Sequence, residues 1–175
     1  MAIMNIENFR AAIGDVARAA LFEVVLNFPG AVMAGGINST FFCKGSQLPS
    51  CNIGEIPISF MGRKVYQAGD RDYEPWVVTI IQDSKFIIRN AVEQWQAMIN
   101  LARENRGAIL PSEYQVNSAI FQLNAMGARI KEYEMINMWP STYDVIDVNW
   151  DSTDTPEEFG VTFRYDYWVT PNAPA

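Results

Sequence analysis

The chain has 175 residues, 20 Asp and Glu against 13 Lys and Arg, no His and two Cys, for a formal charge of −7. That length suits one domain able to bury a core, and 49% apolar content with 13% aromatic residues excludes a disordered chain. The lack of His removes every His-based triad and His–metal site, and the acidic balance argues against sequence-independent nucleic-acid binding, which needs clustered Lys and Arg.

In chain order, residues 1–18 read as an N-terminal arm or short helix with Asn5 or Asn8 as cap. Charges at Glu7, Arg10, Asp15, Arg18 and Glu23 leave no apolar secretory core there. Ala20, Phe22, Val24, Leu26 and Phe28 then alternate with Glu23 and Asn27, the pattern of a strand with one buried face, and Pro29-Gly30 stops it. Residues 29–57 read as one long loop, with Gly35-Gly36, Pro49, Gly54 and Pro57, interrupted by a short apolar strand at Thr40–Cys43. Cys43 and Cys51 are too few for a disulfide scaffold and read as two reduced thiols.

Strands are expected at 58–67 and 74–82, joined by a turn at 68–72. Asp83 or Ser84 caps the one long helix, whose apolar stripe is Ile88, Ala91, Val92, Trp95, Met98, Ile99 and Ala102. Arg103 and Arg106 suit its C-terminal dipole, and Gly107 ends it. Strands resume at 114–126, 130–139, 143–150 and 157–169; in the last, Phe159, Val161, Phe163, Tyr165, Tyr167 and Val169 share a face. Residues 170–175 form an extended tail. The fold class is mainly β with one long α-helix: a single domain, 1–175, built as an antiparallel β-barrel or sandwich flanked by that helix.

Enzymatic constellations are missing. There is no GxGxxG, P-loop, CxxC or nucleophile elbow, and neither cysteine has a His to activate it. Asp151, Asp154 and Glu157 offer oxygens at loop spacing but lack the glycine of a calcium loop. The expectation is a chain that is not an enzyme and takes no cofactor. Charge is the more informative pattern: residues 132–175 hold nine acids and one base, Arg164. Apolar residues such as Tyr133, Trp139, Ile146 and Trp150 thread this stretch, so it reads as folded structure presenting one sign of charge.

One string carries a resemblance. Phe42-Cys43-Lys44-Gly45-Ser46-Gln47-Leu48-Pro49, then Ile53-Gly54-Glu55-Ile56, Gly62-Arg63-Lys64-Val65-Tyr66-Gln67-Ala68-Gly69-Asp70-Arg71 and Trp76-Val77-Val78-Thr79 resemble the tail tube proteins of T4-like contractile-tailed bacteriophages. The opening Asn8–Gly14 and the helix Phe86–Trp95 are similar as well, and the likeness runs over roughly the first 105 residues. It implies six such subunits continuing their inner strands into one ring-wide β-barrel, with rings stacked as a hollow tube inside a contractile sheath. It also implies a virion component assembled in the host cytoplasm and conducting genomic DNA. The implied partners are further copies, the sheath protein, baseplate and tail-terminator proteins, and a tape-measure protein in the lumen. DNA would be in transit only, with no stable membrane binding.

Within that frame, Glu132, Glu134, Asp144 and Asp147 are candidates to line the lumen, where carboxylates repel phosphate. Arg63, Lys64, Asp70 and Arg71 are candidates for charge contacts between subunits. The 29–57 loop is the candidate inter-ring contact, with Phe41, Phe42, Lys44 and Leu48 as its contact residues; a core role for one phenylalanine is equally open. Two alternatives stand beside this reading: the inner tube of a headless contractile injection system carrying protein cargo, and a monomeric β-barrel carrier of a small molecule.

Overall fold

The computed structural model of the chain describes residues 5–13, 16–32 and 39–171. Gly14, the Gly35-Gly36 pair and residues 172–175 of the expected tail lie outside them. Helix α1 (Ile6–Ile13) opens on Asn5, whose Oδ1 accepts the Asn8 amide at 2.8 Å, and it buries no residue. Strand β1 is Phe22–Val25. The stretch expected as a loop is largely ordered: a 3₁₀ turn at Ser39–Phe42 takes the place of the short strand, followed by β2 (Cys43–Ser46) and the first residues of β3 (Cys51–Phe60). Gly54 and Pro57 misdirect the sequence reading because both sit in a two-stranded ribbon, where a bulge and an unpaired edge accommodate them.

Strand β4 (Arg63–Tyr73) pairs with β3 across a turn at Met61-Gly62, with φ of 45° and 79°. The turn therefore lies at the left-handed pair, and Ala68–Asp72 continue the strand. The ribbon pivots on a bulge: Ile53 faces Arg71 while Glu55 faces Ala68. There a Cβ on Gly69 would stand 3.1 Å from the Gly54 carbonyl oxygen. Strand β5 (Trp76–Ile81) then enters the body with strict buried-to-outer alternation.

Helix α2 spans Ile87–Ile99 and is shorter than expected at both ends. The residue at the cap is Phe86, with a φ of 55°, in place of the expected Asp83 or Ser84; Asp83 still reaches the first turn from three residues earlier, its Oδ1 accepting the Ile87 amide at 2.9 Å. At the far end Leu101 bridges back to Arg106, and Ala108 donates to the Met98 carbonyl at 2.9 Å. Gly107 thus packs under the Ile99 carbonyl, where a side chain would collide, and Arg103 and Arg106 lie off the helix. A short helix α3 (Pro111–Tyr114) leads to β6 (Val116–Leu123), β7 (Arg129–Tyr143), β8 (Glu158–Arg164) and β9 (Tyr167–Val169).

Seven of these strands form one antiparallel sheet in the order β1-β6-β7-β8-β5-β2, with β9 also on β7. The order does not return on itself, so the sheet is open and the expected closed barrel is not formed. The expected 130–139 strand runs on to Tyr143 as β7, whose first half pairs with β6 and β9 and whose second half pairs with β8, and the strand expected at 143–150 is not formed. Midway, Asn137 (φ 57°) makes a bulge, so inward residues switch from Met135 to Met138. Opposite it, Asp166 donates to the Ile136 carbonyl at 3.0 Å and accepts from Asn137 Nδ2 at 2.6 Å. This paired kink breaks the alternation foreseen across 157–169: Phe159, Val161, Phe163 and Tyr165 are buried, whereas Tyr167 and Val169 turn outward and Trp168 packs inward.

The core fills the concavity of the sheet under α2. Ile88, Ala91, Val92 and Trp95 of the helix are buried there, and Trp95 meets Phe163 and Phe28 with centroids 6.1 and 5.7 Å apart. Trp76, Trp95, Phe163, Ile80, Ile120, Met135 and Met138 are each less than 2% exposed. Large side chains of the described residues thus fill the interior of the sheet.

Candidate functional site

Three surfaces of the body remain uncommitted to its own core. The first is the outer face of the half-sheet β1-β6-β7-β9. Because Tyr133 and Met135 point to the core, Glu132 and Glu134 share the opposite face, as their parity predicts. Glu23 joins them across the register Glu23–Phe121–Glu132. Arg129 lies among these acids: its guanidinium donates to both Glu23 oxygens at 2.9 and 3.0 Å and stacks 3.8 Å over Phe121. The hydrogen bond to Glu23 raises the Arg129 pKa, with Glu132 adding to the effect. Glu134 accepts from Asn117 Nδ2 at 3.3 Å. Phe121 is buried yet outside the core cluster, under the guanidinium. Glu23 and Arg129 escape a sequence reading because cross-strand neighbours depend on register, which no local pattern states.

Asp144 and Asp147 do not belong to this face. They follow the end of β7 in a segment without strand pairing, contrary to the strand expected at 143–150. The Asp144 amide donates to the Gly160 carbonyl at 2.8 Å, and its carbonyl accepts from Arg89 Nη1 at 3.1 Å. Arg89 also donates to Glu93 at 3.1 Å and stacks on Tyr143 and Phe159 at 4.8 and 5.3 Å. One arginine thereby ties the acidic 144–157 segment to α2. The segment turns Ile146 inward but leaves Val145, Val148 and a fully exposed Trp150 in solvent.

The third surface is the β3–β4 hairpin, about 33 Å long at its strand rise, with nearly every residue exposed. It touches the body through its base, where Tyr73 packs with Tyr165 and Trp168 at 6.1 and 6.3 Å. Pairing sorts the predicted charges onto different sides. Ile56, Ile58, Phe60, Arg63, Val65 and Gln67 lie on one side; Lys64 and Arg71 lie on the other with Tyr66. Asp70 sits at the bulge. Arg63, Lys64 and Arg71 therefore cannot meet one flat partner together.

The residues expected to contact another ring divide as well. Phe41 is 81% exposed, whereas Phe42 packs against the core. Lys44 forms an ion pair with Glu158 of its own chain, and Leu48 is half exposed. Among the described residues, no group of three or more Cys, Asp and Glu is placed to hold a metal ion.

The comparisons agree with this architecture. A family model described as phage tail tube protein matches residues 17–171. The chain is similar to the tail tube protein gp19 of Enterobacteria phage T4, 34% identical over 157 residues, covering 89% of this chain and 92% of that protein. It is 26% identical over 168 residues to a tail tube protein of Serratia phage KSP90, covering 92% and 94%. In fold it is similar to a chain from the tube-terminating cap of the anti-feeding prophage, with TM-score 0.66, 16% identity and coverage of 99% and 100%. It is likewise similar to a chain from the sheath–tube complex of an extracellular contractile injection system, with TM-score 0.57, 13% identity and coverage of 95% and 97%. With an open antiparallel sheet, a projecting ribbon and a match over nearly its whole length, the chain belongs to the phage tail tube protein family.

Proposed function

We propose that copies of this tail tube protein close into six-membered rings by extending their sheets edge to edge, and that the rings stack into a hollow tube carrying DNA into the host. The observation that carries this reading is the half-sheet β1-β6-β7-β9. It ends at β1 and β9, neither of which has a second strand partner among the described residues, and its outer face is polar with Glu23, Glu132 and Glu134. Open edges are an aggregation hazard unless paired, and closing them around a ring abolishes them. The bore then carries net negative charge, so DNA in transit meets repulsion and no binding site.

The tube lies within a contractile sheath and meets baseplate and terminator proteins; the support is that fold relatives come from sheath–tube, baseplate and cap assemblies. A tape-measure protein fills the lumen during assembly. The role is structural and the chain catalyses no reaction. A tube for protein cargo in a headless injection system shares the fold, but the sequence likeness runs to phage proteins. Size-exclusion chromatography and negative-stain microscopy of the purified chain are expected to reveal rings or filaments. A chain that stays monomeric at high concentration overturns the proposal.

A further inference from the structure

The hairpin and the 144–157 segment carry opposite, uncompensated charge and matching exposed apolar groups. From Ile56 to Gly69 the hairpin holds Arg63 and Lys64 and no acid. From Asp144 to Glu157 the segment holds five acids and no base. Neither basic residue of the hairpin tip forms an ion pair among the described residues, and neither do Asp147, Asp151 or Asp154. On the apolar side, Phe60 and Met61 are 67% and 89% exposed at the tip, and Val145, Val148 and Trp150 are likewise exposed on the segment. A lone two-stranded ribbon is at best marginally stable in water, so one this long with Ile56, Ile58, Phe60 and Val65 on one side requires a cover. Among the described residues its own body does not supply that cover, because its packing onto the body is confined to the base around Tyr73.

We infer that the hairpin tip of one copy seats on the 144–157 segment of another copy, with Phe60 and Met61 against Val148 and Trp150 and Arg63 against Asp147 and Asp151. Arg63 is the charge involved because it shares the apolar side with Phe60; Lys64 points from the opposite side. The Arg89 clamp on Asp144 presents the segment at a fixed height above α2. This docking rests on the tube reading and specifies which surfaces meet.

The test is charge exchange in the full chain at low salt, where surface charge is least screened. Arg63→Glu is expected to raise the concentration needed for tube formation at least about tenfold, and Lys64→Glu to change it far less, since only the first sets like charges face to face. Adding Asp147→Lys and Asp151→Lys to Arg63→Glu is expected to restore assembly. Separately, Met61→Cys with Val148→Cys in a Cys51→Ser background is expected to give cross-linked ladders on oxidation of assembled tubes. Tube formation unaffected by Arg63→Glu, failure of the exchanged triple variant to recover, or the absence of cross-linked ladders overturns the docking while wild-type tubes leave the tube reading standing. Wild-type protein that makes no rings at all overturns the tube reading itself.

Discussion

Cys43 packs against the core at the start of β2, and burial pushes its thiol from the ordinary 9.0 up to about 12. Tyr165, whose hydroxyl donates to the Glu74 carbonyl at 2.8 Å, is likewise pushed up to about 12. Burial is the main cause there; the charges of Cys51, Tyr73 and Glu74 add to it and Arg164 opposes it. Both groups are acids whose folded state favours the neutral form. Unfolded, they release protons earlier, so the stability they confer is complete below about pH 9 and drains away as pH climbs toward 12. Thermal melts under reducing conditions are expected to show Tm falling through that window. Cys43→Ala is expected to lower Tm at neutral pH and flatten the lower part of the alkaline decline. Equal slopes in the two proteins would contradict the assignment to Cys43.

At the scale of elements, the Met61-Gly62 turn determines whether the ribbon forms. Gly62→Val places a β-branched residue at a φ of 79° and is expected to cost about 1–2 kcal/mol. That loss should stay in the ribbon, because neither β3 nor β4 belongs to the seven-stranded sheet. Hydrogen exchange is the measurement: protection should drop across β3 and β4 and hold in β5 and β8. Strands β5 and β8 were legible in the sequence because one face of each is buried, which imprints a two-residue period. The ribbon was read as one strand at 58–67 with its turn misplaced to 68–72, since both its faces lie open and Gly69-Asp70-Arg71-Asp72 has the composition of a turn. The end of α2 was misplaced for a different reason: the Leu101–Arg106 bridge is a tertiary fold-back, and Gly107 serves close packing there. The acidic face was half legible, with the parity of Glu132 and Glu134 readable and the neutralising Arg129 hidden in the register.

Across the whole molecule, charge is unevenly distributed, with nine acids and one base in residues 132–175. The outer face of the half-sheet holds Glu23, Arg129, Glu132 and Glu134, of which Arg129 and Glu23 neutralise each other. If this face lines the bore, as proposed, Glu132 and Glu134 are the carboxylates left to meet passing phosphate. Replacing both with Lys is expected to slow genome ejection from virions while leaving tube length and appearance unchanged, because neither residue lies in the buried core. The slowing should shrink as salt rises, over a Debye length that falls to about 8 Å at physiological ionic strength. Single-particle ejection kinetics across a salt series check this; rates equal to wild type at low salt would exclude these two residues from the bore.

The bare hairpin has a kinetic corollary. In the proposed tube, two free subunits that collide must each fix an uncovered ribbon and its exposed side chains with nothing yet built to receive them, and they lose that conformational entropy before any cooperative gain arrives. A newcomer at a finished ring meets a ready cradle and loses far less. In the proposed tube, elongation from a seed therefore outpaces spontaneous initiation, and adding preformed tube fragments to the purified chain is expected to shorten the lag before new tube appears.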